Sequence, residues 1–109
     1  MSQIVWKNIE DSPSQFVSEG ISVQQLWQGE AAAQAVVVEI SPGAKWDGID
    51  AHTDNSEEVF VVRGTFNDGV RDYAAGTFIH HPVGSSHVPQ SKTGCTLFIF
   101  YPSKNLSNT

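Results

Sequence analysis

The sequence predicts an all-β protein, a small barrel or sandwich of short strands. Runs rich in β-branched and aromatic residues follow one another along the 109-residue chain. Turn-forming residues separate these runs at short intervals, with glycine-containing turns at positions 29, 43, 64, 69, 76, 84 and 94. Helical signals are weak, because even the alanine-rich stretch 31–35 leads into valines that favour strand. Many short strands at such spacing are typical of a barrel or sandwich.

Five strands are predicted in chain order. Residues 21–27, ISVQQLW, alternate apolar and polar side chains, which indicates a strand with one buried face. Residues 35–40 are rich in valine and precede an SPG turn. Residues 58–64, EVFVVRG, form an apolar run that we expect to end at its glycine. Residues 77–81 and 95–101, TFIHH and CTLFIFY, complete the set.

One domain accounts for the chain, since about 100 residues are enough to bury a single hydrophobic core. We expect residues 1–20 to form an N-terminal arm, residues 21–103 the barrel, and residues 104–109 a loose C-terminal tail. In the arm, Trp6 and Phe16 are expected to pack against some other part of the protein, and the alternative is that Trp6 or the N-terminal strand covers a sheet edge or a dimer interface.

The charge and composition argue against several kinds of partner. The net charge is −6, and both nucleic acid and anionic membrane surfaces require a basic patch. The single cysteine, Cys95, excludes an internal disulfide, fits a reducing compartment, and is expected to be a small buried hydrophobe. No apolar run approaches the ~20 residues of a membrane span, and the N-terminus lacks the pattern of a secretory signal. We therefore expect a cytoplasmic protein with no nucleic-acid or membrane partner, and the charge does not identify any other partner.

The histidines are concentrated in one part of the chain. Three of the four fall within residues 80–87, HHPVGSSH, and the fourth is His52. Asp50 and His52 are two residues apart, a spacing that places both side chains on one face of a strand. Glu57 follows five residues after His52. One explanation is a metal site, because imidazole and carboxylate bind zinc, iron, manganese and nickel. The alternative is a set of packed or hydrogen-bonded histidines.

Two segments carry a more specific pattern. In residues 50–64 the pattern is Asp-x-His, four residues, Glu, six residues, Gly. In residues 76–87 it is Gly, five residues, Pro-x-Gly, two residues, His. This pair resembles the two motifs of the cupin superfamily, with Asp50 in place of the first histidine and Ser91 in place of the usual asparagine. The resemblance implies a single-domain cupin, an antiparallel β-barrel or jelly roll, that forms a homodimer.

The stretch 66–100 also resembles one branch of the superfamily, the cupin-like domain of ChrR-type anti-sigma factors, which is related to acetylacetone-dioxygenase-like cupins. The matching positions are Asp72, Tyr73, Gly76, Thr77, Pro82, Gly84, Ser85, His87, Pro89, Gly94 and Cys95. In ChrR proteins this domain follows a helical zinc-binding domain that binds the sigma factor. We expect no such domain in a chain with one cysteine, so the resemblance does not imply anti-sigma activity.

The resemblance implies one divalent metal ion inside the barrel: iron, zinc, manganese or nickel. His52, Glu57 and His87 occupy its ligand positions, and Asp50 occupies a fourth position with a changed donor. Without Asp50, two histidines and one carboxylate remain, a set found in non-haem iron sites with open positions for substrate and dioxygen. With Asp50, the site is richer in oxygen and favours manganese or iron over zinc.

The resemblance also implies a small-molecule ligand, and a substrate pocket is expected beside the metal, formed by Trp46, Phe60, His81 and Phe98. His80 and His81 match no ligand position of the family. Strand alternation points one of these two histidines into the barrel and the other outward.

Three functions are compatible with the resemblance. The first is a metal-dependent dioxygenase, an oxidoreductase that acts on a small diketone-like carbonyl compound. The alternative is a non-catalytic ChrR-like module that binds or senses a metal or a metabolite. A metal-free cupin used as a scaffold or for sugar binding is a third. The residues leave the choice between enzyme and sensor open and assign no catalytic residue.

Overall fold

The computed structural model describes residues 2–52 and 54–104. This part of the chain contains nine strands, a short 3₁₀ helix at Ile9–Asp11 and no α-helix. It therefore has no helix long and apolar enough to cross a membrane. The strands are β1 Gln15–Ser18, β2 Ile21–Gln28, β3 Gln34–Ile40, β4 Asp50–Ala51, β5 Glu57–Asn67, β6 Asp72–Ala74, β7 Phe78–His81, β8 Ser86–His87 and β9 Cys95–Tyr101.

The strands form one large sheet and one small ribbon. The large sheet has the order β1-β2-β3-β9-β5-β6, and β7 pairs with β5 outside this path. The ribbon consists of β4 and β8. Every pairing is antiparallel. These findings confirm the predicted class, an all-β antiparallel barrel in a single domain.

Most predicted strands agree with the observed ones to within a residue, but β5 continues past Gly64 to Asn67. Gly64 has a φ of +77°, and a Cβ at this position would collide with the backbone of Gly94. The glycine therefore lets β5 pass close to the turn before β9 instead of ending the strand. The short strands β1, β4, β6 and β8 were not predicted, because so few residues show no periodicity of their own.

The hydrophobic core lies between the inner faces of the strands. Alternate residues of β5 and β9 point inward, and Val59, Val61, Leu97 and Ile99 are each at most 5% exposed. Cys95 at the start of β9 is also buried. Burial raises the pKa of its thiol to about 11, so it behaves as the small hydrophobe that the sequence predicts.

The N-terminal arm is hydrogen-bonded to the barrel through its backbone. Its strand β1 pairs with β2. The Ser12 hydroxyl donates to the Gln25 carbonyl at 2.8 Å, and the Gln24 amide donates to the Ser12 carbonyl at 2.8 Å. The packing predicted for Trp6 and Phe16 is not found within the chain, since they are 83% and 78% exposed. The alternative, that Trp6 or the N-terminal strand covers a sheet edge or a dimer interface, stays a prediction.

The predicted C-terminal tail begins at a residue that contacts the barrel. The backbone N–H of Lys104 donates to the Ala31 carbonyl at 2.7 Å. The rest of the predicted tail, residues 105–109, lies outside the described residues.

Candidate metal centre

Strand pairing brings several of the predicted site residues together. Glu57, the first residue of β5, pairs directly with His81, the last residue of β7. His87, the last residue of β8, pairs directly with Asp50 of β4. The side chains that meet here therefore come from four different strands and from both sequence motifs.

His52 joins this group from the residue after β4. Its backbone N–H donates to the Ser85 carbonyl at 2.8 Å, and its carbonyl accepts from the Gly84 N–H at 2.6 Å. Gly84 has a φ of +91°, which the Pro-x-Gly turn uses and which a side chain would disfavour. The two motifs are thus joined by their backbones as well as by their side chains.

Four donor atoms converge on a single point. Glu57 Oε1 lies 3.2 Å from His52 Nε2, 3.1 Å from His81 Nδ1 and 3.2 Å from His87 Nε2. The four ligand atoms lie within 4.8 Å of one another, and all four residues are buried. Neighbouring donors of one ion with bonds near 2.1 Å are roughly 3.0 to 3.4 Å apart, so this spacing fits a single divalent metal.

The hydrogen bonding supports the same conclusion. Within the described structure, these buried atoms have no hydrogen-bond partner: His52 Nε2, Glu57 Oε1, and both ring nitrogens of His81 and of His87. A buried polar atom without a partner costs about 1–3 kcal/mol, and native proteins leave few of them. Because imidazole nitrogen and carboxylate oxygen are metal donors, these four residues could hold a metal ion.

The electrostatics keep the carboxylate of Glu57 ionised. Burial alone would raise its pKa, but contacts with three imidazoles and the Tyr101 hydroxyl outweigh burial and hold the pKa well below the usual range. Burial would lower the pKa of His87, but the neighbouring carboxylates of Asp50 and Glu57 raise it to about 9. The group therefore attracts positive charge. A proton supplies this charge in the metal-free protein, and a bound metal ion would take the place of the proton.

Asp50 lies beside this group and is not one of its four members. Its Oδ2 is 3.4 Å from His87 Nε2, and its side chain is 33% exposed. The fourth member of the group is His81, which the sequence had assigned to the substrate pocket. His80, the other histidine of the pair, points outward to Glu58 with 2.7 Å between Nδ1 and Oε1. Alternation along β7 therefore decides which of the two histidines enters the site.

The barrel interior is a cavity of about 560 Å³ that opens onto the metal centre. At the metal centre it is lined by Asp50, Glu57, His87 and Tyr101, and elsewhere mainly by apolar side chains such as Val36, Val38, Val59, Leu97 and Ile99. A volume of this size suits a small organic ligand.

The residues predicted for the substrate pocket lie in three different places. Trp46 lines the cavity. His81 is buried within the candidate ligand group, which consists of His52, Glu57, His81 and His87. Phe60 and Phe98 lie on the opposite face of the sheet and are 42% and 37% exposed, because their sequence neighbours point inward.

Sequence reasoning missed two contributions to the site. His81 had a detectable signal, because β7 carries two adjacent histidines and one of them must face inward. Tyr101 had none, since a tyrosine at the end of an apolar strand has the same pattern as a core residue. In the structure, its hydroxyl donates to Glu57 Oε2 at 2.7 Å.

The comparisons with known proteins agree with this fold. A model of the ChrR cupin-like domain family matches residues 2–104. An RmlC-like cupin from Shewanella frigidimarina superposes with a TM-score of 0.76 at 26% identity, covering 94% of this chain and 93% of that one. A predicted oxalate decarboxylase from Thermotoga maritima has a TM-score of 0.72 at 18% identity, with coverages of 91% and 97%.

A third similar structure is the Rhodobacter sphaeroides SigE in complex with the anti-sigma ChrR. Its TM-score is 0.72 at 21% identity, covering 87% of this chain but 51% of that one. No curated protein sequence matches the chain.

An antiparallel barrel with a buried histidine–glutamate group facing its interior defines a cupin with a candidate metal centre. Because the family model spans nearly the whole sequence, the chain belongs to the ChrR cupin-like domain family.

Proposed function

We propose that the protein is a mononuclear metal-dependent dioxygenase that cleaves a small, mainly apolar carbonyl compound of the diketone type. The observation that carries this proposal is the position of the metal centre on the wall of the cavity, since Glu57 and His87 belong to both. A purely structural metal site is usually closed. Here a ligand in the cavity has direct access to the centre.

Four protein donors are compatible with open positions on an octahedral ion such as iron or manganese, because such an ion accepts six. When bound, the metal supplies Lewis-acid polarisation of a carbonyl oxygen and, if it is iron, a binding position for dioxygen. The chain's own residues bind the apolar body of the substrate along β3, β5 and β9 and exclude water from it.

The proposed reaction balances with dioxygen as the oxidant. One carbon–carbon bond between a carbonyl carbon and the central carbon breaks, and both atoms of dioxygen enter the products. A 1,3-diketone thus gives one carboxylic acid and one 2-oxoaldehyde, and the proton lost from the central carbon ends on the acid.

The test is oxygen uptake by the iron(II)-loaded protein with pentane-2,4-dione and a panel of larger diketones. We expect uptake in wild type and its loss in His87→Ala. The matched control is His80→Ala, because His80 lies on the outer face and should leave uptake unchanged. Metal-loaded protein that consumes no oxygen with any member of the panel would refute the enzymatic proposal.

The alternative is a non-catalytic module that binds or senses a metal or metabolite. The observation that favours it is the number of ligands, since four buried donors could complete the shell of a tetrahedral zinc ion. Cobalt(II) substitution separates the two proposals through the absorption spectrum. An intense tetrahedral spectrum that pentane-2,4-dione does not alter would favour the sensor, and a weak spectrum that changes with added diketone would favour the enzyme.

We also propose that two copies associate through the outer face of the large sheet. Strand register places Phe78 beside Phe60 and Phe60 beside Phe98. Phe100 lies on the same face and stacks on Trp27 with ring centroids 6.4 Å apart. These five side chains are 36–63% exposed.

The exposed aromatic area is a substantial part of what an interface needs. At 150–250 Å² per aromatic side chain, the five expose about 400 Å² together, the size of the largest patch on a typical monomer. This is about half of the ~800 Å² that each partner of a standard interface buries. The rim carries both charge signs, with His80 next to Glu58 and Arg63 3.9 Å from Glu39, which suits a self-complementary contact.

Sedimentation equilibrium from 1 to 100 µM tests this interface. We expect a dimer in wild type and a monomer in Phe60→Glu. Val70→Glu is the control, because Val70 is an 83% exposed apolar residue outside this face. A monomeric wild type, or a Phe60→Glu variant that remains dimeric, would contradict the proposal.

A further inference from the structure

Tyr101 gives the two oxygens of Glu57 different environments. Its hydroxyl donates to Glu57 Oε2 at 2.7 Å, whereas Oε1 faces the three imidazoles at 3.1–3.2 Å. The carboxylate is therefore oriented with one oxygen toward the metal centre and the other away from it.

We propose that Tyr101 is a positioning residue that holds Glu57 as a one-oxygen ligand of the metal. This inference rests on the proposed metal binding and goes beyond it, because it concerns how the carboxylate coordinates. A carboxylate that binds through both oxygens occupies two positions on the ion. By engaging Oε2, Tyr101 keeps one more position free for a ligand from the cavity.

The fold holds Tyr101 in this place. In the antiparallel pair β5–β9, Phe100 lies opposite Glu58, so the next residues along, Tyr101 and Glu57, are cross-strand neighbours. On its other side, Glu57 is paired with His81. The glutamate therefore sits between a phenol on one strand and an imidazole on the other.

The other ligands have less support from outside the group. Metal-binding histidines usually donate from their second ring nitrogen to a partner that fixes the ring. In the described structure, His81 Nε2 and His87 Nδ1 have no such partner. The hydrogen bond from Tyr101 is thus the best-formed side-chain contact that reaches the ligand group from outside. We therefore expect its loss to weaken metal binding.

The experiment compares Tyr101→Phe with Tyr73→Phe. Tyr73 is a matched control, because its hydroxyl also donates to a carboxylate, Asp68 Oδ2 at 2.6 Å, away from the ligand group. Chelator competition measures the affinity for cobalt(II) and zinc, and the cobalt(II) absorption spectrum reports the coordination. Removing an outer partner of a ligand typically weakens metal binding 10- to 100-fold.

We expect Tyr101→Phe to lose 10- to 100-fold in affinity and to change the cobalt(II) spectrum, while Tyr73→Phe changes neither. For Tyr101→Phe, an affinity within twofold of wild type with an unchanged spectrum would overturn the role of Tyr101 and leave the proposed metal binding standing. A wild-type protein that binds no cobalt(II), zinc, iron(II) or manganese would overturn both this role and the proposed function.

A measurement on the wild type covers the case in which Tyr101→Phe does not fold. Infrared difference spectra of protein with carbon-13-labelled glutamate, metal-loaded minus metal-free, separate one-oxygen from two-oxygen coordination by the splitting of the carboxylate bands. We expect a splitting wider than that of the free carboxylate. A narrower splitting means coordination through both oxygens and overturns the proposal.

Discussion

Replacing His81 with alanine should weaken metal binding about 100-fold. Its Nδ1 is one of the four converging donor atoms, 3.1 Å from Glu57 Oε1. Four-ligand zinc sites in small domains bind with about 10–16 kcal/mol in total, or roughly 3 kcal/mol for each ligand. A loss of about 3 kcal/mol corresponds to a roughly 100-fold higher dissociation constant.

The same substitution should affect stability in a metal-dependent way. At saturating metal, a 100-fold weaker site removes about 2.7 kcal/mol of linked stabilisation. For a domain of about 100 residues this lowers Tm by roughly 10–20 °C. In the metal-free protein we expect a change of less than about 1 kcal/mol. Lost packing is then opposed by the removal of two buried nitrogens that have no partner.

Calorimetric scans with and without zinc, together with chelator competition, provide the assay. His80→Ala is the matched control, because this neighbouring histidine on the same strand is exposed and outside the ligand group. An affinity of His81→Ala within threefold of wild type would refute the assignment of His81 as a ligand. An equal loss of Tm with and without metal would show that the residue acts through packing.

Three further predictions follow from the structure. Asp50→Asn should retain the metal with an affinity within about threefold of wild type, since Asp50 lies outside the four-residue group; loss of metal from the purified variant would show that it coordinates. Gly64→Ala should lower the free energy of unfolding in urea by about 2 kcal/mol or more, because the new Cβ would meet backbone atoms at a φ of +77°. Gly43→Ala, which has open space at a φ of +83°, should lower it by about 1 kcal/mol. Equal losses in the two variants would contradict this prediction. Asp68→Asn should cost about 1–2 kcal/mol near pH 6. Burial would raise the pKa of Asp68, but hydrogen bonds from the Tyr73 hydroxyl and from backbone N–H groups outweigh burial and lower this pKa. The stabilisation that ionised Asp68 gives the folded protein is therefore complete above the pKa of the unfolded state and is lost as pH falls through the pKa of the folded state. A difference between Asp68→Asn and wild type in urea unfolding that does not shrink below about pH 4 would refute this origin.

Local patterns in the sequence were sufficient for the fold class and for part of the site. Runs of β-branched, aromatic and other apolar residues, bounded by turn residues, placed five strands to within a few residues, because such runs favour strands wherever they occur. The spacing from Asp50 to Gly64 and from Gly76 to His87 marked both segments that meet at the candidate metal centre. Each of these signals lies within a stretch of about fifteen residues.

Contacts between distant strands could not be predicted in this way. His81 enters the ligand group because β7 pairs with β5 in the register that sets it opposite Glu57, 24 positions earlier in the chain. Tyr101 reaches the same carboxylate from 44 residues away. Register between strands depends on the whole sheet, and a shift by one residue would turn each side chain to the other face.

Strand register also explains why two aromatic residues that the sequence assigned to the pocket lie on the outer face of the sheet. Phe60 and Phe98 are inward candidates by composition, but the register that buries Val59 and Leu97 turns both outward. The sequence by itself thus determined the class of barrel and the two segments that carry its histidines. The tertiary structure decided which histidine joins His52, Glu57 and His87, which tyrosine donates to Glu57 and which aromatic face is exposed, because these depend on pairing between strands far apart in the chain.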